Sequence, residues 1–335
     1  MAKHRRDEYQ YPCAVIRGNE RTLLGKADVN KMAECSGVSA AMAIMAEFGY
    51  GDGKPLENPR DFEKALKAEQ KRVSELVLSV LPEKEELEFL QYPADYHNVK
   101  VILKAETLGI SPDAYLGVGG MIPADRMALM IKERNYMFMP PEIRDSIEAA
   151  LEGFAKNRDP QEIDIILDKA CYRHMLDKAE ACGSDFVVGY VKLLIDIINV
   201  LTFVRLRQIK KPVSFLQKVF LEGGKIDEKT LVSMYDDTYP QISEKLDIFG
   251  FGEIMGRGAV NVAETGKYAL MEKLCDDMKI QYIQGAKFVT AGIEPVAAFY
   301  IAKENEIKNL RMVLTGKLAG IAEETIKERL RETYV

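Results

Sequence analysis

The sequence predicts an all-α protein built as three tandem, similar helical-bundle domains. Three observations carry that reading: one helical pattern is written three times, apolar residues recur with helical period through most of the chain, and strand signals are few and scattered. The repeated pattern is a carboxylate, two free positions, Asn, an apolar residue, two free positions and two apolar residues. Its first copy is Asp95, Asn98, Val99, Ile102 and Leu103; its second is Asp196, Asn199, Val200, Phe203 and Val204. Its third is Glu306, Asn309, Leu310, Val313 and Leu314. An aromatic and an apolar residue stand at the same place upstream of each copy: Phe89-Leu90, Tyr190-Val191 and Tyr300-Ile301. The copies lie at near-equal intervals, which suggests three bundles around a pseudo-threefold axis or in an arc.

On a 3.6-residue period the carboxylate, the amide and the apolar pair share one helix face. Asn is a mediocre helix former, so its place inside a helix three times over suggests that its side chain is used. One use is a set of inward polar residues lining a site. The other is a half-buried Asp/Asn pair that hydrogen-bonds a neighbouring helix or its connecting loop, setting register at each domain joint. The second is favoured, because buried polar groups find partners inside the fold and a catalytic centre rarely recurs once per domain.

The first domain is placed at residues 1–112. Residues 8–27 read as a helix, with Pro12 tolerable only near its first turn. A second helix spans about Val38–Phe48, before Gly49-Tyr-Gly-Asp-Gly. Residues 60–80 carry the stripe Phe62, Ala65, Leu66, Val73, Leu76, Val77 and Val80, closed by Pro82. The first template helix follows over 85–107, kinked or split at Pro93 and stopped at Gly109. The second domain, 113–222, opens on the glycine-rich loop 117–123 and has helices at 141–156 and 160–182. After Ser184 its template helix runs to about Lys210, before Pro212. The third, 223–335, opens at Gly223-Gly-Lys-Ile-Asp with Asp227 capping a helix over 228–235. Glycines 250, 252, 256 and 258 mark a loop, helices follow at 262–278 and 280–291, and the long template helix starts near Glu294-Pro295. Gly316 and Gly320 punctuate it before an amphipathic helix over Glu323–Arg331, acidic at its start and basic at its end as the helix dipole favours.

At 335 residues the chain can bury substantial cores, and a net charge of −6 lacks the basic excess expected of a nucleic-acid binder. Protein partners remain compatible with it. The five cysteines, at 13, 35, 171, 182 and 275, form no Cys-x-x-Cys pair and have no His at zinc spacing. They read as reduced, mostly buried thiols of a cytosolic protein. The charged start, Met-Ala-Lys-His-Arg-Arg-Asp-Glu, has no apolar run behind it, so no signal peptide is expected. The most apolar stretch, Phe186 to Leu206, is interrupted by Lys192, Asp196, Asn199 and Arg205 and reads as a core helix rather than a membrane span.

Candidate chemistry is thin, and no catalytic, cofactor or metal residue is expected. No Gly-x-x-x-x-Gly-Lys-Ser/Thr occurs, and the glycines at 223–224 and 250–258 do not match the dinucleotide fingerprint, so they read as loop punctuation. All-helical prenyl-diphosphate enzymes hold magnesium with Asp-Asp-x-x-Asp, but after Asp236-Asp237 the third acid is Pro240, and after Asp276-Asp277 it is Ile280. Both pairs read as solvated acids at helix ends. His4, His97 and His174 are too dispersed for a local metal motif, and no Gly-x-Ser-x-Gly elbow is present. His97 is replaced by Ile198 and Lys308 in the other copies, which marks it as a surface or interface position.

Residues 294–331, from Glu-Pro-Val-Ala-Ala-Phe-Tyr through Glu-Asn-Glu-Ile-Lys-Asn-Leu-Arg to Ile-Lys-Glu-Arg-Leu-Arg, closely resemble the C-terminus of the C subunit of the prokaryotic V-type (A-type) ATPases, relatives of the d subunit of vacuolar ATPases. Tyr9–Leu24, Asp159-Pro160 with Leu167-Asp168-Lys-Ala170, and the three Asp/Glu-x-x-Asn helices extend the resemblance over essentially the whole chain. It implies a non-catalytic rotor subunit: a funnel of three similar helical domains with no cofactor of its own. The funnel would sit on the cytoplasmic face of the membrane as a peripheral part of the complex, receiving the central-stalk subunits and resting on the proteolipid rotor ring. In that place it would couple ATP turnover to proton or sodium movement, with no nucleic acid bound and no membrane span of its own. Lys308, Arg311 and Lys317 are candidate partner contacts, against the plainer reading of a solvated face. A generic helical-repeat adaptor is the alternative, separated by what co-purifies. A magnesium-dependent all-α enzyme would require Asp236 and Asp276 to converge on one pocket.

Overall fold

Helix is the only regular secondary structure among residues 6–54 and 58–335, which the computed structural model describes. The all-α class read from the sequence is therefore the fold. The early helices are α1 (Gln10–Glu20), α2 (Lys26–Glu34), α3 (Val38–Glu47) and α4 (Phe62–Val80). The middle of the chain forms α5 (Glu85–Glu88), α6 (Tyr92–Leu108), α7 (Ala124–Lys132), α8 (Pro141–Asn157), α9 (Pro160–Cys182), α10 (Asp185–Gln208), α11 (Val213–Val219) and α12 (Glu228–Ser233). The last part forms α13 (Tyr239–Leu246), α14 (Val260–Thr265), α15 (Ala269–Gln284), α16 (Ile293–Leu318) and α17 (Glu323–Arg329).

Local chemistry sets many of these boundaries. Asp159 accepts from the Gln161 N–H at 2.9 Å with Pro160 in the first helical position, so α9 starts where its cap and its proline dictate. Gly183, at φ +75°, stops α9, and Ser184 at once caps α10, making a tight corner between two long helices. Asp227 caps α12 through the Thr230 N–H at 2.7 Å. Pro93 is near the start of α6, behind a 3-10 turn at Phe89–Gln91, so the first template region is split just ahead of its polar pair. Pro295 is likewise absorbed in the first turn of α16.

Three sequence expectations are corrected. The helix over 8–27 is two helices, because the chain turns between Glu20 and Lys26 and frees the Leu24 N–H to donate to Glu306 at 2.6 Å. That tertiary bond outweighs the local apolar period. Glycines 252, 256 and 258 do not form a loop. The chain is helical from Gly252 to Thr265, with a π-helical stretch over Ile254–Ala259, and only Gly250, at φ +83°, breaks it. A Cβ on Gly258 would lie 3.0 Å from the Met271 Cα, so this glycine permits close helix contact rather than a turn. The helices expected at 262–278 and 280–291 are instead α14, α15 and a 3-10 turn at Gly285–Phe288, with Gly266 between the first two.

The chain divides into two compact units, one made of Met1–Pro82 with Asp236–Val335 and the other of Glu83–Tyr235. The first two template copies lie in the second unit. There α9 packs against α6, α8 and α10, around Leu167, Cys171, Met175, Val191, Ile195 and Val204. The third copy lies in the first unit, where α16 packs on α1, α2, α3, α4 and α15. Leu24, Met32, Met42 and Leu66 from one end of the chain share a core there with Leu310, Val313, Leu314 and Ile326 from the other. Each such side chain contributes about 1.5–3 kcal/mol on burial. One helix among the described residues, Asp185–Gln208, is long and apolar enough to cross a membrane, yet 61% of its most apolar window is buried within the fold.

Candidate functional site

The repeated polar pairs lie on the inner faces of α6, α10 and α16, and all six side chains are buried. In α10 the Asn199 amide pairs with both backbone groups of one residue: Nδ2 donates to the Leu221 carbonyl at 2.8 Å, and Oδ1 accepts from the Leu221 N–H at 2.9 Å. One turn earlier, Asp196 accepts from the Lys225 N–H at 2.9 Å and the Ile226 N–H at 3.0 Å. Copy one repeats the arrangement. Asn98 exchanges bonds with Gly117 at 3.2 and 2.8 Å, and Asp95 accepts from the Met121 and Ile122 N–H groups at 3.0 and 3.1 Å. In both, the chain leaves the template helix, returns antiparallel to it and is clamped at two points.

The glycines of the returning loops are part of the clamp. A Cβ on Gly120 would fall 2.3 Å from Asp95 Oδ1, and one on Gly224 would fall 2.1 Å from Asp196 Oδ1. Successive backbone N–H groups beyond a glycine form an anion cradle. Here the anion is the protein's own carboxylate. The sequence carries the signal as Gly-Gly-Met-Ile at 119–122 and Gly-Gly-Lys-Ile at 223–226, an extension of the repeat that a reading of the template helices alone misses.

Copy three keeps the amide and redirects the acid. Asn309 pairs with Arg331, donating to its carbonyl at 3.1 Å and accepting from its N–H at 2.9 Å. Tyr334 stands where the second copy has Gly224, and the acid is the longer Glu306. Its oxygens accept from the Leu24 N–H, the Tyr50 hydroxyl and Lys303 Nζ, each at 2.6 Å. Lys303, only 1% exposed, also lies 3.2 Å from Glu69 and 4.8 Å above the Tyr50 ring centroid. Burial raises the Asp95 carboxyl to about 6 against the opposing pull of its two N–H donors. Burial raises Asp196 in the same way, and it raises Glu306 despite the nearby Lys303 ammonium.

The remaining candidates separate. Asp276 and Asp277 are not solvated helix-end acids: they are buried in the middle of α15. Asp276 faces Lys279 at 2.5 Å, Arg331 at 2.9 Å and Lys308. Burial pushes its carboxyl up, but these cations outweigh it and hold it down at about 2. Asp277 pairs with Lys273 at 2.6 Å and accepts from the Glu332 N–H at 2.6 Å. Asp236 is exposed beyond the end of α12, and Asp237 pairs with Lys245 at 2.7 Å. Lys308, Arg311 and Lys317 are not simply solvated either. Lys308 holds Asp276, Arg311 forks onto Glu63 at 2.6 and 3.3 Å, and Lys317 donates to the Ala33 and Cys35 carbonyls.

His97 is exposed, with Nε2 3.3 Å from the Tyr115 carbonyl oxygen. His174 is buried and stacked on Tyr92 at 4.0 Å, and His4 lies outside the described residues. The five cysteines are free thiols, all buried except the half-buried Cys35. No cluster of three or more His, Cys, Asp or Glu side chains able to hold a metal ion occurs among the described residues.

Among the described residues the chain is all-helical, and the buried carboxylates and amides of three of its helices hold its own loops. It belongs to the ATP synthase (C/AC39) subunit family, whose model matches residues 12–329. It is 25% identical over 327 residues to the C subunit of the V-type sodium ATPase of Enterococcus hirae, covering 98% of this chain and 99% of the relative. The C subunits of the A-type ATP synthases of Pyrococcus abyssi and Thermococcus kodakarensis are each 23% identical, with 97% of this chain and 90% of the relative covered in both cases. These relatives are named as subunits of ATPase or ATP synthase complexes.

Proposed function

We propose that this chain is a non-catalytic rotor subunit of a V/A-type ATPase, a socket that joins the central stalk to the membrane rotor ring. In this reading it lies peripherally on the cytoplasmic face and passes torque between ATP turnover and proton or sodium movement. The observation that carries it is the family match along residues 12–329, nearly the full chain. The clamped loops support it physically. A torque adaptor must resist deformation, and close-packed helices whose connecting loops are bonded back to the helix core have little room to yield. We also propose that the three template copies define domains 1–112, 113–222 and 223–335, set about a pseudo-threefold axis as a funnel. In that arrangement Asp95–Asn98, Asp196–Asn199 and Glu306–Asn309 are structural joints rather than reactive groups.

Affinity purification of the tagged full chain from its native membranes in mild detergent tests the reading. Recovery with the other rotary ATPase subunits is expected. In membranes lacking the chain, ATP-driven ion uptake should be lost while the soluble motor still hydrolyses ATP. Recovery with no rotary ATPase subunit would overturn the reading.

A further inference from the structure

The outer face of α16 and the start and end of α17 enclose a cleft of about 470 Å³ in the first unit. It is lined by the apolar side chains of Met312 and Ile321 and by four cations, the exposed Arg329, the half-buried Lys308 and Arg311 and the buried Arg331, with no carboxylate among its lining residues. Partnering within the fold does not cancel the positive charge. Asp276 is one carboxylate shared by Lys279, Lys308 and Arg331, and Arg311 is matched by Glu63. Arg329 is exposed, and its guanidinium forms no ion pair among the described residues. With Glu304, which also feels Arg311, five cations thus stand against three carboxylates, in a chain whose net charge is −6.

Burial alone would raise Asp276, yet the cations around it bring its carboxyl down to about 2. Lys308 is lowered, chiefly by burial and then by Lys279 and Arg331, against the pull of Asp276. Apolar side chains set among cations fit a ligand with carboxylates along its edges and aliphatic side chains along its middle.

We propose that this cleft docks an acidic, amphipathic helical segment of a partner protein, with aliphatic side chains on Met312 and Ile321 and carboxylates toward Arg311 and Arg329. The proposal adds partner chemistry to the adaptor reading and rests on it only for the complex that would supply the segment. A peptide is favoured over a phospholipid headgroup because Lys308 and Arg331 are already gathered on Asp276 and Arg311 is matched by Glu63, so no cluster of unengaged cations converges on a single phosphate. An isolated small anion would leave the apolar side chains unused.

Fluorescence anisotropy on the full chain tests it, with a labelled synthetic helical peptide carrying leucine at i, i+3, i+4 and i+7 and glutamate elsewhere. Saturable binding is expected that weakens with salt, exceeds binding of the isomer with lysine for glutamate, and falls about fivefold or more in Arg329→Glu and in Ile321→Glu. Both residues are exposed, so circular dichroism and the unfolding midpoint should stay at wild-type values in the variants. Equal binding of the two peptides, or binding indifferent to both variants, would overturn the proposal. So would binding to phosphatidylglycerol vesicles or inorganic phosphate that is lost in the variants while the acidic peptide does not bind. A chain that co-purifies with the ATPase but binds no acidic peptide refutes the cleft alone. One that binds the peptide but recovers no ATPase subunit refutes the adaptor reading alone.

Discussion

Replacing Gly224 by alanine places a methyl carbon 2.1 Å from Asp196 Oδ1 and 2.9 Å from its Cγ, inside any tolerable contact. The carboxylate cannot retreat, because it sits 2% exposed on the inner face of α10. The loop must move instead, and the bonds from the Lys225 and Ile226 N–H groups stretch or break. A hydrogen bond to a charged group contributes about 1.5–3 kcal/mol, so losing most of two costs roughly 3–4 kcal/mol. Urea unfolding of the full chain should show that loss, and hydrogen exchange should show faster amide exchange confined first to residues 221–226. A double-mutant cycle sharpens the test. In an Asp196→Ala background both contacts with the carboxylate are gone and the next nearest is Ile195 Cγ2 at 3.2 Å, so the same glycine change should then cost about 1 kcal/mol. If Gly224→Ala costs under about 1 kcal/mol in wild type, or costs the same in both backgrounds, the loop is not held by a carboxylate cradle.

Asn309→Ala leaves the Arg331 N–H and carbonyl unpaired in a buried setting and should cost about 2–3 kcal/mol in chemical unfolding, against a smaller loss for Asn98→Ala at its partly exposed loop. Lys303→Met leaves Glu69 and Glu306 buried without their shared cation and should lower stability by about 3–5 kcal/mol; an unchanged thermal midpoint would argue against that bridge. Asp95, with its carboxyl raised to about 6, binds its proton more tightly folded than unfolded. The stability it contributes is therefore full below about pH 4 and fades as pH rises through about 6. Subtracting the unfolding free energies of Asp95→Asn from wild type across pH 4–7 should reveal that slope, and a flat difference would contradict it.

How far the sequence can be read depends on what each residue's neighbours are. Asp196 and Asn199 stand out because polar groups on an apolar helix face break the binary pattern, and that conflict demands a partner wherever the chain goes. The partner is backbone, which carries no letter of its own. Only Gly120 and Gly224 betray it, by having no side chain to block the way. The capped helices are legible because Asp159, Ser184 and Asp227 act within a few residues of themselves. Lys308, Arg311 and Lys317 are not, since helical period reports which face a residue occupies but not that Asp276, Glu63 or the Ala33 carbonyl packs against it. The turn at Leu24 and the helical glycines at 256 and 258 escape for one reason. Long-range contacts with Glu306, Ser243 and Met271 override preferences that a local window treats as decisive.

Both ends of the polypeptide are needed to complete one core, and that has a temporal side. Leu24, Met42 and Leu66 leave the ribosome long before Leu310 and Leu314, with the whole of Glu83–Tyr235 made in between. At about 5–20 residues per second the wait is on the order of tens of seconds. During that time the early helices carry an uncovered apolar face, and the middle unit can finish folding first. Nascent chains halted before Glu306 should therefore recruit chaperones through their first eighty residues, and their release should coincide with synthesis of the final long helix.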